Sequence, residues 1–157
     1  MPTYEGSLET PQGRFAIVAS KFNREVVDKL VAGAKDALRR HGVAEDAIDL
    51  VWVPGAFEIP FVAHHLVDKN AHVAVICLGA VIRGHTDHYD YVCKAATDGI
   101  RQASLATAKS LVPVLFGVLT CDTEEQALDR AGGKSGNKGF DAAESAIEMV
   151  NLMRQLP

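Results

Sequence analysis

The sequence predicts an α/β fold: a three-layer α/β/α sandwich around a central four-stranded parallel sheet. Three observations predict it. Strand-like and helix-like segments alternate along the chain. Four of the segments are short, nearly continuous apolar runs, the pattern of strands buried on both faces. The segments between them place apolar residues at helical spacing, so each has one face able to cover the sheet.

Residues 14–20 (RFAIVAS) read as the first strand. Residues 25–41 follow as a helix, with Val26, Val27, Leu30, Val31, Ala34 and Leu38 on one face and Gly42 as the stop signal. The second strand is 48–53, closed by Pro54 and Gly55. A helix over 57–69 then requires Pro60 to sit in its first turn, where a missing N–H costs little. Residues 72–81 are the third apolar run and read as a central strand; 87–110 suits a long helix. Residues 114–119 form the fourth strand and 124–131 a short helix. A glycine-rich connection, 132–139, leads to a final helix over 141–155 that packs through Ala143, Ile147, Val150 and Leu152.

The chain has 157 residues, 48% hydrophobic and 23% charged, which fits one domain with its own core. That domain is expected over 14–157. Residues 1–13 form an N-terminal arm, in which Tyr4 and Leu8 would let it pair as an extra strand with a neighbouring subunit. A disordered terminus is the alternative. A net charge of −4 argues against nucleic acid as the main partner, because phosphate-backbone binding needs a dense basic face. No apolar run reaches membrane-spanning length, and the first residues lack a basic start followed by an apolar stretch. Cys77, Cys93 and Cys121 are odd in number and include no CxxC, so neither a disulfide framework nor a thiolate metal site is expected. A reducing cytoplasm is the default location.

In open parallel sheets, ligands bind beyond the carboxyl ends of the strands. The unusual residues cluster there. Phe22 and Asn23 follow the first strand, where they read either as core plus helix cap or as a stacking ring with an amide for a ligand edge. Pro54, Gly55, Ala56, Phe57 and Glu58 follow the second, a turn whose Glu58 favours a helix start or accepts ligand hydroxyls. Residues 82–88, running from Ile82 through Arg83, Gly84, His85, Thr86 and Asp87 to His88, follow the third behind Val81, and Thr120, Cys121 and Asp122 follow the fourth. A glycine beside a helix start allows close backbone approach, the free N–H groups of the first turn favour a phosphate, and His88 in that turn is suited to proton exchange near neutral pH. A plain helix cap made by Thr86 or Asp87 is the competing reading. His85 and His88, with Asp87 or Asp90, supply too few well-placed ligands for zinc, and the remaining histidines fall in other elements. Residues 129–139 place Arg130, Lys134 and Lys138 among four glycines without the GxxxxGK[ST] spacing of a nucleotide loop.

Four motifs together carry a resemblance: WVPGAFEIP (52–60), LGAVIRGHTDHYDYVC (78–93), PVLFGVLT (113–120) and EQALDRAGGKSGNKG (125–139). With Phe22-Asn23 and SAIEMVNL (145–152), the chain resembles the 6,7-dimethyl-8-ribityllumazine synthases from about Arg14 to its end. The resemblance implies a flavodoxin-like sandwich. It also implies the condensation of 5-amino-6-(D-ribitylamino)uracil with 3,4-dihydroxy-2-butanone 4-phosphate, without metal or organic cofactor.

By motif, the resemblance implies that Phe22 stacks on the pyrimidine and Asn23 helps hold it. Ala56, Phe57, Glu58 and Ile59 line the pocket, with Val81 and Ile82 supporting it. His85 and Thr86 give donors to the phosphate, and His88 transfers protons. Arg130 binds the phosphate, Lys138 a uracil carbonyl, and Phe116 closes the pocket, all three from the adjacent subunit of a homopentamer. Some members of the family build hollow icosahedral shells of 60 subunits from such pentamers. Three departures from the family pattern stand out: His85 where a small residue is common, Asp129 for Glu, and Gly133 and Ser135 within the glycine-rich stretch. The competing functions are a related riboflavin-pathway enzyme, and a shell-forming or ligand-carrying protein that has lost activity.

Overall fold

A computed structural model describes residues 1–105 and 111–157. Its main sheet contains β1 (Phe15–Ser20), β2 (Ile48–Val53), β3 (Ala74–Ile82) and β4 (Val114–Cys121), all parallel, in the order β2-β1-β3-β4. The helices are α1 (Arg24–Arg40), α2 (Ile59–Lys69), α3 (His88–Leu105), α4 (Glu124–Asp129) and α5 (Lys138–Gln155). This is the predicted sandwich. The last turns of the helix expected over 87–110 fall on 106–110, outside the described residues.

The pleat of the strands divides the core in two. Phe15, Ile17 and Ala19 of β1 pack with Ile76 and Leu78 of β3 against Val27, Leu30 and Ala34 of α1 and Ala143, Ile147 and Val150 of α5. Ala16 and Val18 point the other way and pack with Val75 and Cys77 against Ile59, Ala63 and Val67 of α2 and Ala96 and Ile100 of α3. The Cys77 thiol lies in this second core, where burial pushes its pKa up to about 12.

Local chemistry explains most boundaries. After α1, Gly42 takes φ 89°; its N–H donates to the Arg39 carbonyl, and the Val43 N–H donates to that of Leu38. Those two bonds form a Schellman stop at the expected glycine. Pro60 lies in the first turn of α2, as its missing N–H requires, and residues 56–58 form a separate 3₁₀ turn before it.

The glycine-rich stretch is more ordered than a connecting loop. Ala131–Gly133 (β5) and Gly136–Asn137 (β6) pair as a small antiparallel hairpin, so α4 ends before Ala131. The last helix starts at Lys138, three residues earlier than expected. The Asn137 side-chain oxygen accepts from the N–H groups of Gly139 and Phe140, while its amide donates to the Lys29 carbonyl. That side chain both caps α5 and ties it to α1.

The N-terminal segment forms no strand within the chain. It runs along α5, whose Asn151 donates to the carbonyls of Ser7 and Glu9 and whose Gln155 donates to that of Glu5.

Candidate functional site

The strand order reverses direction beside β1, because the chain leaves β1 for β2 on one side and returns to β3 on the other. Connections diverge there and open a crevice at the carboxyl ends of β1 and β3. The ladder continues past β1: the Lys21 N–H donates to the Val53 carbonyl at 2.8 Å and the Phe22 N–H to that of Pro54 at 3.1 Å. Phe22 is therefore held at the rim, 71% exposed, which removes the reading of it as core. Asn23 adopts the left-handed conformation, φ 56° and ψ 47°, and its side chain makes no cap bond. Its amide instead donates to the Ala80 carbonyl at 2.8 Å, joining the exit of β1 to β3.

At the end of β2, one Glu58 oxygen accepts from the Gly55 N–H at 2.9 Å. Phe57 is exposed beside Glu58. Ile59 is fully buried and stands behind the wall; a Cβ on Gly79 would come within 3.1 Å of its Cδ1.

At the end of β3, residues 83–88 are exposed and α3 begins at His88. Thr86 Oγ1 accepts a long bond, 3.4 Å, from the His88 N–H. Burial pushes the pKa of the Tyr89 hydroxyl up. Arg83 lies over the Tyr89 ring and pairs with Asp122 and Asp90. The hydrogen bond to Asp122 is the main cause of the upward shift of the guanidinium.

These segments enclose one cavity of about 720 Å³. Phe22, Asn23, Ala56, Phe57, Glu58, Val81, Ile82, Thr86 and His88 all line it; His85 and Ile59 do not. Tyr89 and Val92 also line it, although sequence reasoning assigned them no role. Their spacing was a usable signal, because His88 and Val92 are four apart and share a helix face. The wall offers aromatic rings for a flat ligand, a carboxylate and an imidazole. Among the described residues lining it there is no Lys or Arg.

Arg130, Lys138 and Phe116 are brought together elsewhere. They line a second cavity, of about 460 Å³, along the outer edge of β4. The Lys138 N–H donates to the Arg130 carbonyl at 2.8 Å, which pairs the two residues through their backbones. Arg130 caps the end of α4 with a guanidinium bond to the Gln126 carbonyl. Lys138 Nζ lies 3.2 Å from Asp141. Phe116, 47% exposed, projects from an edge strand whose only sheet neighbour among the described residues is β3.

Among the described residues, no group of three or more His, Cys, Asp or Glu is placed to hold a metal ion. No described helix is long and apolar enough to cross a membrane.

An open parallel sheet with an aromatic cavity at its reversal point, fitted with a carboxylate and an imidazole, defines a small-molecule α/β enzyme. Residues 12–154 match the 6,7-dimethyl-8-ribityllumazine synthase family. Two proteins of that name, from two strains of Clostridium kluyveri, are each 53% identical to the chain over 156 residues, 99% of both lengths. The chain belongs to the 6,7-dimethyl-8-ribityllumazine synthase family.

Proposed function

We infer that this chain condenses 5-amino-6-(D-ribitylamino)uracil with 3,4-dihydroxy-2-butanone 4-phosphate to 6,7-dimethyl-8-ribityllumazine, releasing phosphate and water in riboflavin biosynthesis. The amine attacks the ketone and expels its oxygen as water to give a Schiff base; phosphate is eliminated; ring closure with loss of a second water completes the lumazine. The observation that carries this reading is the convergence of Phe22, Asn23, Glu58, Thr86 and His88 on one cavity in a chain of this family.

Phe22 stacks on the pyrimidine, and the Asn23 side-chain oxygen, free of the bond to Ala80, faces its polar edge. Backbone groups of residues 56–58 follow the ribityl chain, with Ile59 behind them, and Glu58 accepts its hydroxyls. The phosphate sits at Thr86 and the first turn of α3, with the His85 backbone beside it, where free N–H groups favour an anion. His88 moves the protons. Much of the acceleration comes from positioning, because the amine and ketone are reactive once aligned.

A leaving phosphate needs a cation in place before elimination. The cavity's own lining has none among the described residues, whereas Arg130 and Lys138 stand at the β4 edge with Phe116. We therefore place those three residues in the site of the adjacent subunit of a cytoplasmic homopentamer. In it, Tyr4 and Leu8 of the arm pair with a neighbour.

The test follows lumazine absorbance and phosphate release together. The wild type forms both products. Arg130→Ala loses efficient use of the phosphate substrate, and His88→Ala slows turnover without abolishing it. Refolding the two variants together restores activity above either alone, because some interfaces then carry both intact residues. Wild type without either product rejects the reaction; no gain on mixing rejects the shared site.

A further inference from the structure

The loop from Gly84 to His88 carries the groups assigned to the phosphate and to proton transfer, yet little of it is packed. Residues 83–88 are exposed, an added Cβ at Gly84 would meet nothing within 4 Å, and the Thr86–His88 bond is long. Something outside the loop must hold its two ends.

Arg83 touches both. Its N–H donates to the Cys121 carbonyl at 2.9 Å, which extends the β3–β4 ladder by one step and fixes where the loop departs. Its guanidinium donates through Nε to Asp122 at 2.8 Å and lies 3.5 Å from Asp90. Its Cζ sits 4.2 Å from the centre of the Tyr89 ring. Tyr89 and Asp90 are in the first turn of α3, where the loop ends. One planar side chain thus joins the end of β3, the start of α3 and the segment leading into α4, a geometry that a single-point ammonium cannot reproduce.

We propose that Arg83 is a positioning residue for the phosphate-bearing substrate, acting by clamping residues 84–88 between β3 and the first turn of α3. The inference rests on the reaction assigned above. It separates the two halves of the site. Phe22 and Asn23 follow β1 and Glu58 follows β2, and Arg83 bonds Cys121, Asp122, Asp90 and Tyr89 instead, so its loss acts first on the phosphate half. Asp122 precedes α4, whose end carries Arg130, so the same guanidinium also sets the loop against the segment that serves the next subunit.

The experiment is steady-state kinetics with each substrate varied in turn, for wild type, Arg83→Gln, Arg83→Lys, Asp122→Asn and the double variant Arg83→Gln/Asp122→Asn. Thermal stability and oligomeric state are measured alongside. A loop displaced by a fraction of an ångström costs on the order of tenfold. Arg83→Gln is therefore expected to raise KM for the butanone phosphate about tenfold, with KM for the pyrimidine held within about twofold. Arg83→Lys recovers part of the loss. The double variant is no worse than Arg83→Gln alone, because both changes break one contact. Asp122→Asn, which leaves Arg83 in place, shows the same direction even if Arg83→Gln fails to assemble. Both KM values rising together with lost stability would mark a merely structural residue and overturn the inference. So would an active wild type whose variants keep their phosphate-substrate KM. A wild type that forms no lumazine overturns the reaction and this inference with it.

Discussion

Replacing Gly139 by alanine sets two effects of opposite sign against each other. Gly139 is buried in the first turn of α5, where that helix crosses α1. Helix propensity alone makes alanine better by about 1 kcal/mol. The crossing opposes it: a Cβ at Gly139 would overlap the Leu30 carbonyl oxygen and lie 2.9 Å from the Leu30 Cα. Carbon atoms pack at about 3.5 Å or more. The obstacle is backbone, so no side chain can swing aside, and the two helices must part. Overpacking of this kind costs about 1–3 kcal/mol. Here the upper end applies, because parting the helices also strains the Asn137 bridge to Lys29. The net expectation is destabilisation by about 2 kcal/mol, read from urea denaturation at fixed protein concentration. Lys138 is the neighbouring residue and bonds the Arg130 carbonyl, so use of the phosphate substrate falls as well. A neutral or stabilised Gly139→Ala would show that propensity wins and that the close crossing is not a constraint.

Asn23→Ala removes the bond to Ala80 and puts a Cβ residue without a polar side chain in the left-handed region. Those terms, about 1 kcal/mol each, predict a loss of about 2 kcal/mol in the same denaturation assay; a loss below about 0.5 kcal/mol contradicts them. Cys77 resists iodoacetamide in the native protein at about pH 8 and is labelled only after unfolding, because burial keeps it a thiol; mass spectrometry showing native labelling of Cys77 refutes this. The Arg14 guanidinium, and then His72, hold the Asp49 carboxyl down at about 2. A depressed carboxyl stabilises the fold above the ordinary carboxylate range and loses that contribution as pH falls toward its folded value. Asp49 is well exposed, so solvent screening limits the gap between wild type and Asp49→Asn to about 1 kcal/mol near neutral pH. That gap should close between about pH 4 and pH 2, and a gap that widens on acidification would be the wrong sign.

How far the fold was legible depended on whether a signal was local. The four strands read directly because each is a short apolar run, and α1 ended where Gly42 said it should. The start of α5 was misread because glycines at 132, 133, 136 and 139 argue locally against a helix. Gly139 is there for the contact with Leu30, more than a hundred residues earlier in the chain, and no local rule reveals it. Ile59 shows a signal that was present and passed over. Ile59, Ala63 and Val67 repeat at helical spacing and are all buried, so periodicity alone assigns Ile59 to the core of α2 and not to a cavity wall.

The site divides along the same line. Loops at the carboxyl ends of strands were identifiable from topology, and the residues at the ends of β1, β2 and β3 do meet in one cavity, whereas Thr120 and Cys121 at the end of β4 line the second cavity instead. Topology alone does not separate Phe116, Arg130 and Lys138 from the first cavity; only the resemblance assigned them to an adjacent subunit, and in this chain they stand on the β4 edge. Arg83 stands in a segment that topology singles out, but nothing local gives it a role. Its partner Asp122 is distant in sequence, and the two meet because the β3–β4 register pairs Ile82 with Cys121, which places the next residue of each strand side by side. Strand register is set by the buried face as a whole, and a one-residue slip would turn every side chain over. The apolar pattern that fixes the core of β3 and β4 therefore also aligns the clamp at their ends, so a charged contact at the site is specified by residues that never approach it.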